Sequence, residues 1–152
     1  MSFKVLKAGI FTTLQDQGRF SFTHLGVTNS GSLDEYASLS AQKLLNNSLD
    51  TNILEITFAN VELQATKTTM VAITGAKCDF YINGIAKDTW QSYKIKTDDI
   101  IKIGTIKEGQ RVYLAVKDGF SIKKEFGSNA TTIKESLGGI SGQKIQNNDI
   151  LP

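Results

Sequence analysis

Apolar and polar residues alternate along most of this chain, and a period of two marks strands with one buried face. "FKVLKAGIFTTLQD" reads as one or two opening strands around Gly9. In "NVELQATKT", Val61, Leu63 and Ala65 share one face while Glu62, Gln64 and Thr66 share the other, the pattern of a half-buried strand. "TMVAITG" follows as a more fully buried strand. "CDFYINGIAKDTW" places Asn83-Gly84 between two such runs. That pair is a strong hairpin signal, because both turn positions need positive φ. "SYKIKTDDIIKIGTI" alternates again and is broken at Asp98-Asp99. In "RVYLAVKDGF", Val112, Leu114 and Val116 share a face and Asp118-Gly119 supplies the next turn. Short strands at regular spacing predict a mainly β fold, closed or nearly closed into a barrel.

One segment carries a different period. In "SGSLDEYASLSAQKLLNNS", Leu33, Tyr36, Ala37, Ser40, Ala41 and Leu44 fall on one helical face, which predicts a helix over about residues 32–46. Ser32 and Glu35 fit a capping box, and Asn46-Asn47 would end the helix. "GSNATTIKESLGG" reads as a second, weaker helical or irregular piece, rich in Gly and Ser. No repeat, linker or low-complexity stretch interrupts the chain, so residues 1–152 read as a single domain.

Composition narrows the functional classes. With 17 basic and 15 acidic residues the net charge is +2, spread along the chain. That is no footprint for nucleic acid, and no basic segment suggests a membrane surface. No apolar run is long enough for a membrane span or a signal-peptide core. Cys78 is alone and cannot make an internal disulfide; with His24 as the sole histidine, no zinc site is expected, nor any other metal. This usage suits a reducing, cytoplasmic setting. There is no phosphate-loop motif, no G-x-S-x-G elbow and no Met-Lys-Met setting for attached biotin.

The remaining candidate chemistry is concentrated in "TTLQDQGRFSFTHLGVTNSGSLDEYA", residues 12–37. Each residue has a plain structural explanation. Ser32 and Glu35 cap a helix, Asp34 complements its dipole, Gly26 and Gly31 serve backbone geometry, and Gln15 and Asp16 occupy turns. Together they also offer free amides at a helix start, a planar Arg19 donor fork, and the carboxylates of Asp16, Asp34 and the more distant Glu55. Such a set suits chemistry at an amide or carboxyl group, where charge developing on oxygen needs oriented donors.

The same stretch, followed by "LEITFANVEL", "VAITGA", "RVYLAV", "FGSNAT" and "LGG", resembles the KipA-type family. That family includes the KipA-like subunit of bacterial 5-oxoprolinase, the second subunit of what was called allophanate hydrolase, and the carboxyltransferase part of urea carboxylase. The matching residues are Thr12, Thr13, Gln15, Asp16, Gly18 and Arg19, then Gly26, Val27, Ser30, Gly31 and Asp34. They continue with Leu54, Glu55, Thr57, Thr74, Gly75 and Ala76. Thr28 stands where the family has proline, and Leu33 where it has methionine. Family members are longer, and this chain corresponds to their N-terminal half.

The resemblance implies a cyclophilin-like β-barrel and work on small amides. That work is ATP-dependent opening of 5-oxoproline to glutamate, or carboxyl transfer from carboxybiotin to a urea-like substrate. No cofactor is then bound by this chain. ATP or biotin comes with partner subunits, a KipI-type chain and a LamB-type chain, and the half alone is expected to be inactive and to self-associate as a homodimer. Asp16, Arg19 and Asp34 become the expected catalytic residues, with Gln15, Ser30, Gly31 and Glu55 binding substrate. Gln15, Asp16, Arg19 and Asp34 are expected to converge on one cavity at the helix start. The alternative is a non-catalytic KipA-type regulatory module acting with a KipI-type partner.

Overall fold

One strand of seventeen residues, Ile100–Val116, organises the molecule. The computed structural model describes residues 2–152. Strands β1 (Phe3–Ala8) and β2 (Phe11–Gln15) open the chain and precede a 3₁₀ turn, Thr23–Leu25, and helix α1 (Glu35–Leu44). After them come β3 (Ile53–Thr57), β4 (Val61–Ala65), β5 (Thr69–Ile82), β6 (Ile85–Lys87), β7 (Gln91–Ile95), β8 (Ile100–Val116) and β9 (Ile150–Leu151). The sequence pattern divides β8 in two, because "GTIKEGQ" lacks apolar alternation; the backbone carries straight through it. Along β8, β4 pairs with the first part and β3 with the last, while β5 follows nearly its whole length.

The sheet order is β2-β3-β8-β4-β1-β9, with β5 on β8 carrying β6 and β7. This is a mostly β, curled half-barrel with one α-helix. The open edge of β2 is covered by irregular chain: Thr131 N–H donates to Leu14 O at 2.8 Å and Ile145 N–H to Thr12 O at 2.9 Å. An uncovered edge would leave main-chain groups unpaired and invite aggregation. The stretch "GSNATTIKESLGG" forms part of this cover. It is turns and isolated bridges (Thr132↔Leu137, for example), not a helix.

The inner face is a continuous apolar core that includes Phe3, Leu14, Leu54, Ile56, Ile73, Phe80 and Leu114. As the alternation requires, Val112, Leu114 and Val116 all point into it. On the other face Tyr113, Ala115, Ala72 and Ile53 pack against Ala37, Ala41 and Leu45 of α1 and its C-cap. The Asn83-Gly84 hairpin is formed, with φ of 51° and 76°, and Ile82 faces Ile85 across it.

The helix differs from its sequence reading in two ways. Its cap is Asp34, whose Oδ1 accepts from Ala37 N–H at 3.0 Å, and not Ser32. Ser32 is held lower, its N–H donating to Asp16 O and its hydroxyl accepting from Ser38. The buried side is Ala37, Ser38, Ala41 and Gln42, so Leu33, Tyr36 and Leu44 face outward. Small Ala37 and Ala41 let the helix lie close to the sheet. Gln42 tolerates burial because its amide donates to Thr51 O and accepts from Asn47. The expected end holds: Leu45 is the C-cap and Asn46 turns left-handed at φ 52°.

Candidate functional site

Strand register places a row of polar residues on the helix-bearing face. Thr13 faces Glu55, Glu55 faces Tyr113, and Tyr113 faces Thr74, across β2, β3, β8 and β5. Polar side chains on a buried face need partners: Thr13 accepts from the Gln15 amide, and the other three meet the start of α1. Thr74 donates to Ala37 O at 2.7 Å. Glu55 Oε2 accepts from Leu33 N–H and from the Tyr113 hydroxyl, each at 2.8 Å, and that same hydroxyl accepts from Asp34 N–H at 2.8 Å. Burial, helped by the Glu55 carboxylate, pushes the Tyr113 phenol well above its ordinary value, so it stays a donor. The sheet thus fixes where the helix begins and where Asp34 stands.

Beside Asp34 opens a cleft of ≈ 470 Å³, lined by Gly75, Ala76, Lys77, Glu108, Gln110 and Arg111. A β-bulge forms its wall. The register of β5 against β8 slips between Gly75 and Phe80, and such slips re-aim side chains. Gly75 has φ 96°, and a Cβ there would lie 2.4 Å from Arg111 O, so only glycine fits. Lys77 and Glu108 pair with each other at 3.5 Å on the exposed rim. Arg111 lies deeper. Its Nε is 3.9 Å from Glu55 Oε1 and has no hydrogen-bond partner. Asp34 uses Oδ1 as a cap, and no partner for Oδ2 is found among the described residues.

The residues expected to meet here separate into two groups. Asp34 lines the cleft, and Glu55 lies beneath it next to Arg111. Gln15, Asp16, Arg19, Ser30 and Gly31 form a different structure, a buried lock against residues 125–132. Asp16 Oδ1 accepts from Gly18 N–H and Ser128 Oγ, each at 2.7 Å, and Oδ2 from Asn129 N–H at 2.6 Å. Arg19, only 1% exposed, donates to Thr132 Oγ1 and Ala130 O at 2.5 Å, with a longer contact to Glu125 O. Gln15 Oε1 accepts from Ser30 Oγ and Gly31 N–H, and its amide group donates to Thr131 O at 3.3 Å. The expected convergence of Gln15, Asp16, Arg19 and Asp34 on one cavity is therefore corrected. The first three have their polar groups satisfied inside the fold.

Lys77, Glu108, Gln110 and Arg111 are cleft residues that sequence reasoning passed over, as it did Tyr113, buried beneath the helix start. The signal was present in "RVYLAV", where Tyr113 alternates with core residues and Arg111 precedes them by the same period of two. A larger opening, ≈ 670 Å³, lies between Phe58 and the Gly104–Gln110 stretch. Its one charged lining residue, Lys102, is already paired to Glu62 at 3.2 Å, so it offers little chemistry. No cluster of three or more His, Cys, Asp or Glu able to hold a metal is found among the described residues. No helix among them is long and apolar enough to cross a membrane.

The chain is thus a curled half-barrel with a helix on its outer face and a polar cleft at the helix start. A family model for the carboxyltransferase domain, subdomains A and B, matches residues 25–152, and the chain belongs to that family. It is 32% identical to a 5-oxoprolinase subunit of Escherichia coli over 149 residues, 98% of this chain and 48% of that protein. It is also 32% identical to a putative urea carboxylase of Emericella nidulans, over 97% of this chain and 12% of the relative. The crystal structure of the Kluyveromyces lactis urea carboxylase superposes with a TM-score of 0.96 at 28% identity, over 99% of this chain and 13% of that one. The chain thus spans about half the length of the Escherichia coli 5-oxoprolinase subunit, and far less of the urea carboxylases.

Proposed function

We propose that this chain supplies one wall of the amide site in a multi-chain enzyme, most simply one that opens 5-oxoproline to glutamate at the expense of ATP. The carrying observation is the cleft at the start of α1. There the free oxygen of Asp34 and the guanidinium of Arg111 open onto the same space. A carboxylate of this kind accepts the N–H of an amide, or takes its proton. A fixed guanidinium beside it balances charge on oxygen. Similarity to the 5-oxoprolinase subunit over nearly the whole chain supports the substrate class. Similarity to the Kluyveromyces lactis urea carboxylase supports a second reading, carboxyl transfer from carboxybiotin to a urea-like amide.

In either reading the nucleotide or biotin arrives with other chains, of the KipI type and the LamB type in the first case. That division is supported by the cleft's lining, whose two cations are Arg111 and Lys77, the latter already paired with Glu108, too few for a triphosphate. The proposed setting is the cytoplasm. Apolar Leu33 and Tyr36, exposed next to the cleft, are the surface on which another subunit or a second copy would sit.

The test is reconstitution with the partner subunits, using Asp34→Asn. Asparagine caps a helix as well as aspartate does, so the fold is kept while the carboxylate is lost. Substrate-dependent ATP hydrolysis is expected to fall about 100-fold with assembly unchanged. Turnover supported by urea and carboxybiotin instead would select the second reading. Assembly without turnover on either substrate would leave a regulatory module and refute the enzymatic one.

A further inference from the structure

We infer that the end of the sheet where the β1–β2 and β3–β4 turns meet is a docking surface for a different protein chain, one offering an apolar side chain flanked by carboxylates. The inference rests only on the multi-chain part of the reading above. Its apolar centre is Ile10, Phe11 and Phe58, which are 61%, 39% and 58% exposed. Register brings them together. Phe11 faces Thr57 in the outermost β2–β3 pair, so Ile10 and Phe58 flank that pair on opposite strands. Apolar residues scattered singly over a surface mean little, but three at one sheet end beside a groove mark an interaction site. The groove is the ≈ 670 Å³ opening between Phe58 and the Gly104–Gln110 stretch. No residue of this surface belongs to α1, and it meets the Asp34 cleft only at Gly109 and Gln110, which line both. A chain seated here abuts the wall of the amide site.

Phe58 is held outward by a turn that its own side chain disfavours. Phe58, Ala59 and Asn60 are left-handed in succession, with φ of 61°, 55° and 67°. A bulky residue at positive φ is a genuine outlier, and strain of this kind collects where a ligand or partner is gripped. The turn is also braced. Phe58 N–H donates to Gln110 O at 3.2 Å, and Gly9 packs so closely that a Cβ there would lie 2.6 Å from Ala59 O. A preorganised anchor gives up little entropy on binding. Charge then selects the occupant. Lys7 Nζ donates to Asn60 Oδ1 at 2.9 Å and Lys144 Nζ to Ile10 O at 3.1 Å, both neutral acceptors. Neither lysine pairs with a carboxylate among the described residues. Glu62, opposite Lys7 across β1 and β4, is taken by Lys102 at 3.2 Å. A second copy is the poorer occupant, because a two-fold interface sets the same patch against itself, lysines included. A partner with carboxylates around an apolar residue satisfies both features.

The experiment measures binding of the chain to the KipI-type and the LamB-type subunit, each separately, by isothermal titration calorimetry. It compares wild type, Phe58→Asn and the double variant Lys7→Gln with Lys144→Gln. Asparagine accepts positive φ readily, so Phe58→Asn is expected to unfold at the same urea concentration as wild type or a higher one. Its affinity for one of the two subunits is expected to fall at least about tenfold. The lysine variant is expected to bind more weakly at low salt and to match wild type at high salt. Undiminished binding by Phe58→Asn overturns the inference, as does a wild type that binds neither subunit. Lost binding together with a lower unfolding midpoint also overturns it, since Phe58 would then be structural. A wild-type homodimer that Phe58→Asn dissolves, seen by sedimentation, gives the surface to a second copy instead and overturns it too. The amide-site reading fails separately, as an assembled complex without turnover whose binding still depends on Phe58.

Discussion

Replacing Asp16 with alanine is expected to remove about 4 kcal/mol of folding stability. Its carboxylate is 4% exposed and accepts from Gly18 N–H, Ser128 Oγ and Asn129 N–H. Removing it leaves three buried donors without an acceptor, and each such loss costs about 1–3 kcal/mol. Two of the three belong to the irregular segment that covers the β2 edge. The damage therefore extends beyond one turn, because residues 128–131 lose an attachment and the edge of the sheet is uncovered. Urea unfolding gives the number. Amide exchange should also rise at Thr131 and Ile145, the two donors to β2. A small stability change accompanied by loss of turnover would mean that Asp16 works on substrate after all.

Glu55→Ala is expected to cost about 3 kcal/mol and to disturb the cleft as well. The carboxylate accepts from Leu33 N–H and from Tyr113, and it is the closest counter-charge to Arg111. Without it two buried donors are orphaned, and a partly buried guanidinium loses its balancing charge. The Arg111 contribution is the smaller of these, because solvent reaches that side chain. Tyr113→Phe is the milder companion: it leaves Asp34 N–H without its acceptor and takes one of the two donors from Glu55 Oε2, which keeps Leu33 N–H, while the charges stay in place. Denaturant midpoints for the two variants, measured together, should fall in that order. A Glu55→Ala protein as stable as wild type would show that the start of α1 is held some other way.

These two expectations show what was legible in the sequence. Strand alternation located β1, β2, β4, both parts of β5 and the Asn83-Gly84 hairpin because period two reports directly which face is buried, whereas β3, buried along its whole length, stood out only in the resemblance through "LEITFANVEL". It could not reveal that β8 runs through "GTIKEGQ", since a strand bordered by a bulge and an open cleft has no buried face there to keep in period. The capping box misled for a related reason. Ser32 and Glu35 have the right spacing, but Ser32 N–H is taken by Asp16 O and the next two amides, of Leu33 and Asp34, are held from below by Glu55 and Tyr113, so the helix is capped at Asp34 instead. Asp16 and Arg19 were visible as a polar crowd near the helix. Their partners, Ser128 to Thr132, lie more than a hundred residues away, so local reading assigned them to a cavity rather than to the interior. Tertiary contacts, not propensity, decided each of these cases.

The division between lock and cleft also explains how a polar run serves two purposes. Residues 15–19 hold the irregular cover segment in place, and residues 33–34 present a carboxylate to solvent from a helix start that the sheet has fixed. Neither purpose requires the other's side chains, so variants in the two groups should fail differently: the first by unfolding, the second by losing ligand.

The most direct test is a map of backbone amide shifts as 5-oxo-L-proline is added to the ¹⁵N-labelled chain. The account predicts that the shifts cluster at Leu33, Asp34, Gly75 to Lys77 and Glu108 to Arg111, while Gln15 to Arg19 and Ser128 to Thr132 stay still. Shifts concentrated in the second group, with the cleft unmoved, would contradict it.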